Sequence, residues 1–138
     1  IQVQNQVRNR GIDVHLVPWS PEAVAEQSRK AHLAIIPIRE GDRFANLKPE
    51  NKLLIYWRLG LPAIVSPTPA YTRVMKDAQI SGLCHDQAAW VAGIERFTTS
   101  ESARREHVAL GKDYLRRRHT DEQLLSAWDG AIQAALTR

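Results

Sequence analysis

The fold is decided by the segment KPENKLLIYWRLGLPAIVSPT, which spans Lys48 to Thr68. Apolar residues recur at helical spacing in its first half. Gly60 follows them where a C-terminal cap is expected, because glycine enters the left-handed backbone region without steric cost. Residues 62–65 come next and form an apolar run with the length of a short strand. The segment therefore predicts one helix followed by one buried parallel strand.

The same segment gathers positive charge and hydrogen-bonding side chains. Lys48 and Lys52 flank the start of the predicted helix, where free N–H groups and the helix dipole favour anions. We predict that they bind a diphosphate, with solvated surface lysines as the alternative. Ser66 and Thr68 follow the predicted strand and are expected to bind phosphate or sugar hydroxyls, or simply to shape the turn. Asn51 either donates to a phosphate or caps the chain.

Composition bounds the class of protein. The 138 residues have the length of one domain, so a single domain is predicted across 1–138. The 19 Lys and Arg outnumber the 15 Asp and Glu, which favours anionic partners. One cysteine, Cys84, excludes an internal disulfide and is expected to be a small buried residue. No apolar run approaches the roughly 20 residues of a membrane-spanning helix. We expect a cytoplasmic location, with the inner face of the membrane as the alternative.

The rest of the chain alternates predicted strands and helices. The predicted strands are 12–17, 32–38, 62–65 and 82–85, each followed by a helix, and two further helices begin near Ser100 and Thr120. Residues 2–10 are expected to form a helix ahead of the first strand. Such alternation predicts a parallel sheet covered on both faces, since crossovers are right-handed. The predicted fold class is therefore α/β, an open Rossmann-like sheet with two extra C-terminal helices.

Ligands bind beyond the carboxyl ends of the strands in such sheets, so the loops that follow them are the candidate sites. Trp19 follows the first strand and either stacks on a nucleobase or packs as an ordinary tryptophan. Arg39 and Arg43 lie in the longest loop, where an arginine can close on phosphate oxygens or stay solvated. His85 is the histidine best placed for a role. The sequence contains no glycine-rich nucleotide motif or metal-ligand spacing, so we expect no metal and no cofactor.

Two features in the C-terminal part of the chain concern its binding partners. The basic run at residues 116–118 can bind nucleic acid or an anionic membrane, but cations also complement a helix C-terminus. No aromatic residues are interleaved with these arginines, so we expect a solvated helix end and no nucleic-acid partner. The last helix carries an apolar stripe that covers the sheet, docks on another domain, or stays exposed and lets the chain pair with itself. Its members are Leu124, Leu125, Trp128, Ile132 and Leu136.

The order of these features resembles the C-terminal, donor-binding domain of GT-B fold glycosyltransferases, group 1 (family 4-like). The likeness covers most of the chain, from about Val14 onward. It rests on the apolar strand at 33–38, the charged loop after it, and the run formed by Asn51-Lys-Leu, Tyr56, Gly60-Leu-Pro and Val65-Ser.

The resemblance implies a domain that holds a nucleotide-sugar and faces an N-terminal acceptor domain lying outside this sequence. Lys48 and Lys52 then map onto the diphosphate contacts, and Trp19 onto the nucleobase site. The reaction would be glycosyl transfer without a bound metal, with lysines and helix N–H groups stabilising the departing diphosphate.

The sequence departs from the family pattern at its acidic residues. Many members of the family carry a pair of glutamates, and Glu40 is the one residue of this sequence that can correspond to the first of them. Ile55 stands where the ribose-binding acid is expected. We expect the chain alone to bind donor weakly and to turn nothing over. The alternative is a non-catalytic Rossmann-like binding or interaction module.

Overall fold

The computed structural model describes residues 11–39 and 41–137. Within them, seven helices and two short strands follow one another along the chain. In order they are α1 (Pro21–Lys30), β1 (Ala34–Ile36), α2 (Arg43–Asn46), α3 (Asn51–Arg58), β2 (Ala63–Val65), α4 (Pro69–Asp77), α5 (Gln87–Thr99), α6 (Glu101–Arg118) and α7 (Asp121–Leu136).

The sheet is much smaller than predicted. β1 and β2 pair in parallel, with Ala34 opposite Ala63 and Ile36 opposite Val65. A single further parallel bridge joins Leu83 to Val65. Helices make up 62% of the structure, and the sheet has two strands. The prediction of an open Rossmann-like sheet with helices on both faces is therefore wrong.

Two of the four predicted strands account for this error. Residues 12–17 have the apolar pattern of a strand, but no strand in the described part of the chain lies beside them to accept their backbone hydrogen bonds. Ile12 and Leu16 are accordingly 55% and 63% exposed. The segment at 82–85 pairs at one position only, because Asp86 caps the next helix directly after it.

Five helices begin where the sequence predicts, whereas the helix predicted to start near Lys48 begins at Asn51, and the helix predicted at residues 2–10 lies outside the described residues. Five cap side chains each accept a hydrogen bond from a backbone N–H three residues further on, which satisfies one of the free donors of the first turn. These caps are Ser20, Thr68, Asp86, Ser100 and Thr120. Thr120 also forms a capping box with Gln123. The four-residue helix α2 lies within the segment predicted to be a loop.

The core joins α3, β2 and α6 around one tryptophan. Trp57 is fully buried, and its ring lies edge-on to Tyr114 with centroids 5.9 Å apart. The Nε2 atom of His107 accepts hydrogen bonds from Trp57 Nε1 at 3.1 Å and from the backbone N–H of Ala63 at 3.3 Å. Gly111 of α6 passes so close that a Cβ atom there would lie 2.6 Å from the indole ring.

The last helix lies outside this core. Every residue of α7 is exposed, including all five members of the apolar stripe. The alternative in which the stripe covers the sheet is therefore wrong. Among the helices of the described residues, none combines the length and the apolar character needed to cross a bilayer.

Candidate functional site

A cleft lies beyond the carboxyl ends of β1 and β2, where the sequence predicted a ligand. Its cavity volume is about 310 Å³. We call it the rim cleft. Its polar and aromatic lining residues are Arg39, Asn46, Ser66, Thr68, His85 and Trp90.

Ser66 holds two walls of the rim cleft together. Its Oγ accepts a hydrogen bond from the backbone N–H of Ile38 at 2.8 Å and donates to the Ile38 carbonyl at 3.3 Å. The Ser66 backbone N–H also donates to the Ile36 carbonyl, which continues the pairing of β1 with β2. The hydroxyl therefore fixes the spacing of the two strand ends, and ligand contact by Ser66 stays a prediction.

Thr68 also has a structural role. It is 2% exposed, and its Oγ1 accepts a hydrogen bond from the backbone N–H of Tyr71 at 3.3 Å. Pro69, which carries no N–H, follows as the first residue of α4. This geometry favours the turn-forming interpretation of Thr68 over phosphate binding, because its accepting oxygen already caps the helix.

Three polar side chains of the rim cleft are free to meet a ligand. Arg39, Asn46 and His85 form no side-chain hydrogen bond or ion pair with any residue in the described ranges. Arg39 is a permanent cation with several donors, while the amide of Asn46 and the imidazole of His85 can both donate and accept. Trp90 adds an aromatic surface, partly packed against the core.

Sequence reasoning identified Arg39 and His85 but missed Asn46 and Trp90. The interpretation of residues 39–49 as a loop concealed the short helix α2, on which Asn46 lies. Trp90 is partly buried against the core and also lines the rim cleft. Helical periodicity alone does not distinguish an apolar residue that only packs on the core from one that also lines a cleft.

Cys84 also lines the rim cleft but is poorly suited to nucleophilic chemistry. It is 4% exposed, as predicted for a small buried residue. Burial raises the pKa of its thiol, and the nearby carboxylate of Asp86 raises it further. The thiolate, which is the reactive form, is therefore disfavoured.

The start of α3 differs from the predicted diphosphate site. Lys48, Asn51 and Lys52 are exposed and do not line the rim cleft. The N-cap position is held by Glu50, whose carboxylate forms two contacts of 2.9 and 3.0 Å with Arg73 of α4. A paired carboxylate at the helix start offsets the helix dipole that was expected to attract the anion. Diphosphate binding by the two lysines stays a prediction.

Trp19 lies in a second, apolar groove. This groove has a cavity volume of about 250 Å³ and is lined by side chains of α1, β1 and α3. Trp19 itself is 81% exposed. The groove shares no lining residue with the rim cleft. A nucleobase stacked on Trp19 would therefore occupy a different depression from a phosphate at Ser66 or Arg39.

The structure describes only one of the two positions at which the resemblance predicts an acidic residue. Glu40 lies outside the described residues. Ile55 is 44% exposed on α3, so an apolar side chain meets solvent where an acid was expected. Nowhere in the described ranges do three His, Cys, Asp or Glu side chains come together as metal ligands.

The basic run is the C-terminal end of α6, as expected. Arg116 and Arg117 both pair with Asp113, at 3.4 and 2.7 Å. The pKa of the Asp113 carboxyl is lowered, first by its hydrogen bond with Arg117. These pairs partly neutralise the run, which supports the interpretation of a solvated helix end.

Comparison of the chain with protein-family models, with curated proteins and with solved structures found no match. Function therefore has to be inferred from the residues of this chain.

Proposed function

We propose that this chain binds a nucleotide-sugar at the rim cleft and serves as the donor-binding part of a glycosyltransferase. The observation that carries the proposal is the rim cleft itself. It lies beyond the carboxyl ends of two parallel strands and combines Arg39, which has no side-chain partner among the described residues, with Asn46, His85 and the ring of Trp90. A cation, neutral hydrogen-bonding groups and an aromatic surface are the chemistry that phosphate and sugar need together.

The size of the cleft limits how much of the donor it holds. At about 310 Å³ it is at the lower end of ligand pockets, which span roughly 300–1,000 Å³. A nucleotide-sugar would therefore extend out of the cleft into solvent or onto a further surface. This is consistent with weak donor binding by the chain alone and with transfer only in the presence of an acceptor domain.

In this proposal Arg39 contacts the diphosphate. Its guanidinium matches two phosphate oxygens at once and would stabilise the charge that develops as the diphosphate leaves. Ser66 and Thr68 support this role indirectly, because their hydrogen bonds to the backbone keep the walls of the cleft in place before a ligand arrives.

Calorimetry with uridine, guanosine and adenosine diphosphates, and with the corresponding nucleotide-sugars, tests the proposal. Arg39→Gln removes the one Lys or Arg among the described residues that line the cleft. Hydrogen bonds to charged groups contribute about 1.5–3 kcal/mol, so binding should weaken at least tenfold. Arg43→Gln is the matched control, since Arg43 lies on α2 and does not line the cleft. The absence of heat with every nucleotide, or equal weakening in both variants, would refute the proposal.

A non-catalytic interaction module is the second candidate. The specific observation in its favour is the exposed apolar face of α7, together with Ile55 at the place of the ribose-binding acid. An interaction module should give no heat with nucleoside diphosphates while still engaging a protein surface. The same calorimetry therefore separates the two candidates.

A further inference from the structure

A small polar cavity lies beside the buried histidine of α6. Its volume is about 50 Å³, and we call it the histidine niche. His107 forms its inner wall, because this residue is 3% exposed whereas the other polar lining residues lie at the surface. Those residues are Gln79, Ser81, Arg96 and Glu106.

The hydrogen bonds of His107 fix which ring nitrogen carries its proton. Nε2 accepts bonds from Trp57 Nε1 at 3.1 Å and from the backbone N–H of Ala63 at 3.3 Å. An accepting ring nitrogen carries no proton, and a neutral imidazole has one, so the proton is on Nδ1. Burial lowers the pKa of His107 to about 4, which keeps the ring neutral near neutral pH.

The Nδ1–H donor is buried and has no hydrogen-bond partner among the described residues. Buried donors are nearly always satisfied, either by protein atoms or by ordered water. Two acceptors line the niche, but each lies against Arg96 instead of the ring. Ser81 Oγ accepts a bond from Arg96 at 2.6 Å, and a carboxylate oxygen of Glu106 lies 3.8 Å from the same guanidinium.

We propose that the histidine niche is a water-binding site, in which an ordered water accepts the Nδ1–H of His107 and donates to Glu106 and Ser81. The inference is independent of the nucleotide-sugar proposal, because the niche shares no lining residue with the rim cleft.

The niche has the size and the partners that a buried water needs. One water takes up about 10–15 Å³ of such a cavity, so 50 Å³ is sufficient for it. Buried waters typically form about three hydrogen bonds. The niche supplies one donor in His107, the carboxylate oxygens of Glu106, and the second lone pair of Ser81 Oγ, which Arg96 leaves free.

The charges around the niche favour a neutral ligand over an ion. Arg96 and Glu106 carry opposite charges, so the formal charge of the lining is zero while His107 is neutral. An anion would lie against the carboxylate of Glu106, and a cation would face the Nδ1–H donor and the guanidinium. Water both donates and accepts, so it satisfies all of these groups at once.

Such a water links the surface to the core. It joins Glu106, which pairs with Arg96 of α5, to the ring that accepts the Trp57 N–H. By accepting from Nδ1 it stabilises the tautomer in which Nε2 is free to accept from Trp57. The niche therefore helps to fix the orientation of the central tryptophan.

Nuclear magnetic resonance of the chain with ¹⁵N-labelled histidine, near neutral pH, tests the proposal. We expect a protonated Nδ1 in His107 and a dipolar cross-peak between its proton and a long-lived water. The exchange of this proton with bulk solvent should rise at least about tenfold in Glu106→Leu, which removes one acceptor of the water. Glu106→Gln is the matched control, because its amide oxygen still accepts, and it should exchange like the unmodified protein.

Titration with chloride and with formate at constant ionic strength tests an anion as the alternative ligand. We expect the Nδ1–H resonance to be unaffected by either salt. A proton on Nε2, an Nδ1–H with no cross-peak to water, a saturable shift with either anion, or equal exchange in Glu106→Leu and the unmodified protein would each overturn the proposal.

Discussion

Mild acid is expected to destabilise this protein through one buried histidine. His107 is 3% exposed, and its Nε2 accepts hydrogen bonds from Trp57 and from the backbone of Ala63. Protonation of Nε2 would remove both bonds and place a charge in the core. Burial, and to a smaller extent the positive charge of Arg96, lowers the pKa of His107 from 6.5 to about 4.

The sign and size of the effect follow from proton linkage. Between pH 6.5 and about pH 4 the unfolded chain binds a proton at His107 that the folded chain does not bind. Stability rises with pH wherever the unfolded state holds more protons, so here it falls on acidification, beginning near pH 6.5 and complete below about pH 4. Since one pKa unit corresponds to 1.36 kcal/mol, the full loss is about 3 kcal/mol, of which about 2 kcal/mol is lost by pH 5.

Urea unfolding between about pH 7 and about pH 5 measures this loss. His107→Gln keeps a hydrogen-bond acceptor but cannot titrate in this range, so its free energy of unfolding should be lower at pH 7 yet nearly independent of pH. His85→Gln, at an exposed position, should retain the pH dependence of the unmodified protein. His119→Gln should remove a smaller part of the stability lost on acidification, because burial also lowers the pKa of His119.

Two results would refute this reasoning. The first is a His107→Gln variant that still loses about 2 kcal/mol on acidification to pH 5. The second is a titration of His107 in the folded protein, followed by nuclear magnetic resonance, with a midpoint near 6.5. Either would mean that the buried ring carries no pKa shift of the size argued above.

Three further predictions concern packing and binding. Gly111→Ala should lower the free energy of unfolding by about 1–3 kcal/mol, because the added Cβ would lie 2.6 Å from the fully buried ring of Trp57. Gly130→Ala should instead raise it by about 1 kcal/mol, since that glycine lies in a helix with open space at its Cβ position; thermal unfolding of the two variants compares them. Replacing Lys48 and Lys52 together by Ala should weaken binding of a nucleoside diphosphate less than Arg39→Gln does and should leave the fold unchanged, because both side chains are exposed and neither lines the rim cleft. An unchanged dissociation constant would remove the two lysines from the site.

Local structure could be predicted from the sequence because its signals act over a few residues. Helices begin near Ser100 and Thr120 as predicted, because each hydroxyl caps its helix start, and Thr120 forms a capping box with Gln123. Gly60 has a φ of 77°, as predicted for a residue that ends a helix in the left-handed region. These features depend on neighbours in the chain, so the sequence pattern is sufficient to find them.

Sheet formation could not be predicted in the same way, because a strand depends on a partner that is distant in sequence. The pattern of residues 12–17 is that of a strand, yet the outcome depends on whether another strand lies beside it. Residues 34–36 pair with residues 63–65, and the segment around Leu83 forms a single bridge. Apolar alternation indicates the capacity to pair, and it does not indicate that pairing occurs.

A cleft lies at the predicted edge of the sheet, but its hydroxyl side chains have other partners than the predicted ones. Hydroxyl side chains after a strand were expected to bind a ligand, whereas Ser66 and Thr68 bond to the backbone and build the cleft. The sequence shows that a hydroxyl is present at a strand end, but its partner is fixed only when Ile38 and Tyr71 are brought to it. Arg39 has no side-chain partner among the described residues, so ligand binding by Arg39 stays a prediction.

This distinction decides which perturbation is informative at the rim cleft. Removing the Ser66 hydroxyl would leave the Ile38 N–H without its acceptor and shift the wall of the cleft, so a loss of binding there could not be assigned to a lost ligand contact. Arg39 makes no side-chain hydrogen bond or ion pair with the described residues, so its replacement leaves the framework unchanged. A loss of nucleotide binding on Arg39→Gln, with unchanged thermal stability, therefore measures recognition alone.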